Sequence, residues 1–126
     1  MIFSFVSCND RLDGDEITNI DAVKIDSVKI ELDTMNVFAI QSIKTYSNYT
    51  QNCEGFYGYD YLYTRSFERK VISYKFKTAT NCGDEITRVS QINFRPQVAG
   101  TYVFKFYTGK DASGENIFIE KNIEVQ

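Results

Sequence analysis

From Asp21 to the end of the chain, apolar and polar residues alternate with a period of two rather than that of a helix, the pattern of strands that bury one face. In "VKIDSVKIEL", Val28, Ile30 and Leu32 fall on one face and Lys29 and Glu31 on the other, after a shorter alternation of Val23 and Ile25. The phase change at Asp26-Ser27 predicts a bulge or a strand that changes sheets. "MNVFAIQSIKTYS" is rich in β-branched and aromatic residues, so it is predicted as strand, with Phe38 and Ile40 opposite Val37 and Ala39. "GFYGYDYLYTRSF" alternates after a break at Gly55, and "KVISYKFKTAT" sets Ile72, Tyr74 and Phe76 against Ser73, Lys75 and Lys77. "EITRVSQINFRP" carries Ile86, Val89, Ile92 and Phe94, and "GTYVFKFYTG" aligns Tyr102, Phe104 and Phe106. "ENIFIEKNIEVQ" offers Ile117, Ile119 and Ile123 with Phe118 opposite. Between these last two, "GKDASGEN" has the Gly, Asp and Ser of a hairpin loop.

About seven short strands separated by turn signals predict an all-β sandwich or barrel. One segment narrows the choice. "FRPQVAGTYVFKF" has an apolar strand end at Phe94, a loop with Pro96, then Gly100 and Tyr102. This resembles the approach to strand F in immunoglobulin-like sandwiches, where a corner tyrosine bonds back to upstream backbone. The resemblance implies an immunoglobulin-like antiparallel β-sandwich of about seven strands over residues 21–126, with Tyr102 as its structural corner. Antibody domains also carry a buried strand-C Trp and an inter-sheet cysteine pair, and neither pattern is present here.

The chain has 126 residues, 43% hydrophobic and 25% charged, which fits one globular domain. Its net charge of −3 and lack of a basic stripe argue against a nucleic-acid partner. Lysines such as Lys75 and Lys77 are scattered singly, as on solvated strand faces. Histidine is absent, which removes the commonest general base near neutral pH and the commonest metal ligand. No run approaches the roughly 20 apolar residues of a spanning helix.

The N-terminus is the informative exception. "IFSFVSCND" places a short apolar cluster, Ile2, Phe3, Phe5 and Val6, directly before Ser7 and Cys8. The run is shorter than a signal-peptide core and has no basic residue before it. Phe5-Val6-Ser7-Cys8 resembles the end of a bacterial lipobox, and Ser7-Cys8-Asn9-Asp10 resembles the junction of Bacteroidetes lipoproteins. The resemblance implies that residues 1–7 are the remnant of a signal peptide, with Met1 inside a longer leader. Cys8 would then be the lipidated first residue of a cell-envelope, outer-membrane lipoprotein, periplasmic or surface-facing. The alternative is an apolar N-terminal strand with a buried thiol. Residues 8–20 are acidic and turn-rich, which predicts a solvated tether. Asp10, Asp13, Asp15, Glu16 and Asp21 do not meet the spacing of a calcium loop.

Cys53 and Cys82 both have turn-forming neighbours, Asn52 and Gly55 for one, Asn81, Gly83 and Asp84 for the other. In an oxidising compartment they would form a disulfide, and closing a loop of that length contributes about 3–4 kcal/mol. With Cys8 lipidated, the odd cysteine count resolves into this pair. Two loop thiols in a reducing compartment are the alternative. Three cysteines without His or a C-x-x-C spacing do not match a zinc site, and neither a metal nor a cofactor is expected.

Nothing in the sequence supplies a catalytic constellation. Without His, a nucleophile would need Lys, Asp or Glu as its base, and no motif places one. A carboxylate pair such as Asp60 and Glu85 has no sequence signal. The distinctive feature is Tyr57, Tyr59, Tyr61 and Tyr63, which at period two share one strand face. They form either an exposed candidate ligand-binding stripe, with large amphipathic area at low entropic cost, or a row packed into the core, with Asp60 and Thr64 outward. These observations lead to a non-enzymatic, membrane-anchored binding or scaffold module for an envelope protein or glycan. A structural or accessory domain of a larger surface assembly is the second reading, and a small enzyme or inhibitor the third.

Overall fold

The computed structural model describes residues 17–50, 53–78 and 83–126. Within them the chain forms nine strands: β1 (Ile17–Val23), β2 (Ser27–Ile30), β3 (Thr34–Met35), β4 (Gln41–Tyr49), β5 (Gly55–Arg65), β6 (Glu68–Thr78), β7 (Ile86–Phe94), β8 (Gly100–Lys110) and β9 (Asn116–Val125). They make two sheets packed as an immunoglobulin-like β-sandwich. The smaller sheet runs β2-β4-β7, and both of its pairings are antiparallel. The larger runs β1-β6-β8-β9-β3, with β5 also on β6. Two of its pairings are parallel, β6 with β8 and β9 with β3.

The strand order follows from β6. It pairs with β5 along most of its length. Its first half, Glu68–Val71, pairs with β8, and its second half, Ser73–Thr78, with β1. Both halves already have β5 on one side, so β8 and β1 share the other edge end to end. The predicted switch at Asp26-Ser27 is a change of sheet. The Ile25 N–H donates to the Tyr107 carbonyl at 2.9 Å in the large sheet, and the next N–H, of Asp26, donates to Tyr46 at 2.7 Å in the small one.

The core gathers around β8. Tyr102, Phe104 and Phe106 are all buried, as their alternation predicts, and meet Ile25, Ile43, Val71, Phe94 and Ile123. Phe104 sits centrally, edge-on to Phe94 at 4.9 Å and stacked with Phe106 at 6.0 Å. The Tyr102 hydroxyl donates to the Val98 carbonyl at 2.7 Å, so one residue packs in the core and holds the loop that leads into its own strand.

Local departures from the periodicity have local causes. The segment predicted as one strand from Met35 onward is a two-residue strand, a turn, and then β4. Phe38 takes a left-handed φ of 65°. Its N–H donates to the Pro96 carbonyl at 2.7 Å and its carbonyl accepts from Arg95 Nε at 3.4 Å. Buried Gln41 serves as a surrogate backbone, donating to the Leu32 carbonyl at 2.7 Å and accepting the Leu32 N–H at 3.2 Å. Residues 17–20 of the predicted tether belong to β1. The rest of it, Cys8 and the signal-peptide segment lie outside the described residues. Lys75 is not on a solvated face: its ammonium pairs with the buried Glu54 carboxylate at 3.0 Å. Gly100 has a φ of 154° and passes beneath Phe67, where a Cβ would stand 2.6 Å from a ring carbon.

Phe104→Ala is expected to lower unfolding free energy by about 3–5 kcal/mol, because it leaves a cavity at the centre of the aromatic core. Tyr102→Phe should cost only about 1 kcal/mol, the net worth of one hydrogen bond. Urea denaturation of both variants checks the order and the sizes.

Candidate functional site

Strand β5 is the outer strand of the large sheet on the side where β7 is the outer strand of the small one. Between them opens a cleft of about 880 Å³. Its β5 wall is Tyr59, Tyr61 and Tyr63, and its β7 wall includes the amides of Gln91 and Asn93. Phe67 and Arg69 close it at the β5–β6 turn, where Tyr102 packs edge-on to Phe67 at 5.1 Å, and the 95–98 loop completes the lining. That loop is held twice, by the Tyr102 hydroxyl on Val98 and by the Phe38 N–H on Pro96.

The predicted row of four tyrosines is a row of three. The β5–β6 register shifts between Phe56 and Gly58, so one extra residue enters at this point and reverses the facing of what precedes it. Tyr57 stands at this bulge, 54% exposed, and does not line the cleft. Phe56 takes the inward facing instead, edge-on to Tyr59 at 4.8 Å, and lines a smaller neighbouring cleft of about 550 Å³ along β7. Burial differs along the row. Tyr59 and Tyr61 are half-buried against the core, while Tyr63 is 71% exposed. Asp60 faces away from the cleft and accepts from the Tyr74 hydroxyl at 2.9 Å. Among the described residues no carboxylate lines the cleft.

Each tyrosine is tied differently. The Tyr59 hydroxyl lies 2.7 Å from Thr45 Oγ1 on β4, a brace from one sheet to the other. Burial raises its pKa, opposed by hydrogen bonds with Thr45 and Ser90. Tyr61 packs edge-on to Tyr63 at 5.6 Å and against Phe104. Burial pushes its phenol up to about 12, with the neighbouring Arg69 charge opposing.

Arg69 is the residue that periodicity does not reveal. The predicted pattern sets Ile72, Tyr74 and Phe76 on one face of β6, yet the buried positions are Arg69, Val71 and Ser73. The two-residue step from Val71 back to Arg69 is the only local signal, and arginine seldom takes such a site. Arg69 is 7% exposed. Its Nη1 donates to three carbonyls of the β5–β6 turn, Arg65 at 3.2 Å, Ser66 at 3.0 Å and Glu68 at 3.2 Å. The guanidinium lies 4.0 Å from the Tyr63 ring centroid and 5.3 Å from that of Tyr102, within cation–π range of both. Its Nε is buried without a hydrogen-bond partner, and among the described residues no carboxylate pairs with it.

Cys53 is half-buried in the turn before β5, and its expected partner Cys82 lies outside the described residues. Among the described residues no cluster could hold a metal ion, and no helix is long and apolar enough to cross a membrane. Comparison with family models, curated proteins and solved structures yields no significant match. The class that fold and site define is an immunoglobulin-like β-sandwich with an aromatic and cationic cleft between two edge strands.

The raised Tyr61 pKa predicts the sign of an alkaline effect. The folded state holds this proton more tightly than the unfolded chain does. Its contribution is therefore intact below pH 10 and lost as pH rises from the ordinary value of 10.0 to about 12. Urea midpoints across this range should fall less steeply for Tyr61→Phe than for the native chain; equal slopes would contradict the assignment.

Proposed function

We propose that this chain is a non-catalytic, extracytoplasmic binding module whose site is the cleft between β5 and β7. The observation that carries the reading is the cleft itself: three tyrosines and a buried arginine stand along an opening with no carboxylate among the described residues of its lining. Tyrosine rings offer flat apolar faces with polar tips. Amides across a cleft suit hydroxyl groups, as Gln91 and Asn93 would here. A saccharide presents both surfaces, so a glycan is the first ligand class and an envelope protein the second. Glycoside hydrolysis would require paired carboxylates, and the described residues of the lining include none.

The cellular setting comes from the N-terminal resemblance and the cysteine count. Cys8 is the lipid attachment point, the chain is an outer-membrane lipoprotein of a Bacteroidetes-like envelope, and Cys53 is bonded to Cys82. The reading as an accessory domain of a surface assembly has its own support in β7. That strand is nine residues long and among the described residues pairs only with β4, and its other edge has no described strand beside it, where an added strand could pair.

Two measurements test the proposal. Intact mass of the native protein from bacterial membranes should correspond to a chain starting at Cys8 with acyl groups, gaining two hydrogens on reduction. An unprocessed chain with three thiols would remove the envelope setting. On a glycan array, Tyr63→Ala should weaken capture about tenfold, the scale of one truncated contact aromatic. Tyr57→Ala should leave it unchanged, because Tyr57 is outside the cleft.

A further inference from the structure

We propose that the cleft selects saccharides bearing a carboxylate, such as uronic or sialic acids, and that Arg69 is the group that recognises the acid. This rests on the reading of the cleft as a glycan site. The chain as a whole is acidic, at −3 with a pI near 4.9. The charged residues lining the cleft are nevertheless both arginines, Arg69 and Arg95. An acidic protein whose described residues line one opening with cations alone has a local field there opposite to its net charge, which favours an anionic ligand.

The state of Arg69 sharpens this. A guanidinium stays charged at every accessible pH, and burying it without a counter-ion is costly. Here the three turn carbonyls satisfy one nitrogen, Nη1. The rings beside the guanidinium, Tyr63 and Tyr102, supply no formal charge. The Nε remains buried without a partner. A ligand carboxylate would neutralise the charge, and Tyr63, the exposed member of the ring pair, is the side chain that can yield to admit it. The planar fork of arginine matches a carboxylate better than a point charge would. The tyrosine wall and the opposing amides then suit the sugar ring that carries the acid. A plain acidic peptide would use the charge but leave the stacking wall and the amides with less to do.

Isothermal titration calorimetry of the full chain tests this with probes differing only in charge: uronic-acid and sialic-acid oligosaccharides and their methyl esters. An acid form should bind at least about tenfold more tightly than its ester, with the difference shrinking as salt rises. Arg69→Gln should bring acid binding down to the ester's level. Arg69→Lys, which keeps the charge without the fork, should recover only part of the preference. The acid-to-ester contrast on the native chain decides the matter even if both variants fold poorly. Equal affinity for acid and ester would overturn carboxylate selection and leave the glycan site standing. Binding of oligoglutamate with no saccharide bound would overturn both in favour of an acidic peptide. Binding of none of these probes would also overturn both.

Discussion

Strand β6 has hydrogen-bonded neighbours on both sides, and one of those sides is divided between two strands. Its first half lies parallel to β8 and its second half antiparallel to β1. This division is what joins the aromatic core to the cleft. The β8 pairing places Val71 beside Phe106, in the same buried cluster as Tyr102 and Phe104. The Val103 N–H donates to the Phe67 carbonyl at 2.8 Å, which anchors the β5–β6 turn to the start of β8. β5 is then left with β6 as its partner in the sheet, and it faces β7, the outer strand of the other sheet. The cleft is the space between two strands that the topology leaves at the edges.

The same turn explains how an arginine is tolerated inside. Its carbonyls point inward and need donors, and Nη1 meets three of them. The pairing is mutual, because turn carbonyls left without partners in a buried setting would be costly too. Gly100 passing beneath Phe67 lets the turn lie flat on β8, since any larger residue would meet the ring. A hairpin turn, a glycine and a corner tyrosine thus hold one buried charge at the rim of an aromatic wall. Tyr59 braces one end of that wall to β4, Tyr61 packs against Phe104, and Tyr63 is its exposed member.

Much of the fold is legible in the sequence where one residue's role is set by its near neighbours. The β8 row is readable because strict alternation and burial coincide. The sheet change at Asp26-Ser27 is readable because a phase change in the pattern is local. The corner at Tyr102 needs only Pro96, Gly100 and the strand that follows. The site is less legible because its key features are set from a distance. A bulge at Tyr57 reverses the facing of what precedes it, and the only local sign is Gly58 within a strand. Phe38 adopts a backbone conformation contrary to its type, held by a bond to Pro96 far along the chain. Arg69 is buried because a turn four residues back offers it carbonyls, which no periodicity encodes.

The most direct test is of Arg69 itself, by nitrogen–proton spectroscopy of the arginine side chains in the full protein. An Nε–H assigned by its loss in Arg69→Gln should exchange slowly with water and show proton contacts to the rings of Tyr63 and Tyr102. That result would establish a buried guanidinium held against aromatic rings in solution. Exchange at the rate of an exposed arginine, with no contact to either ring, would contradict it and leave the cleft without its central charge.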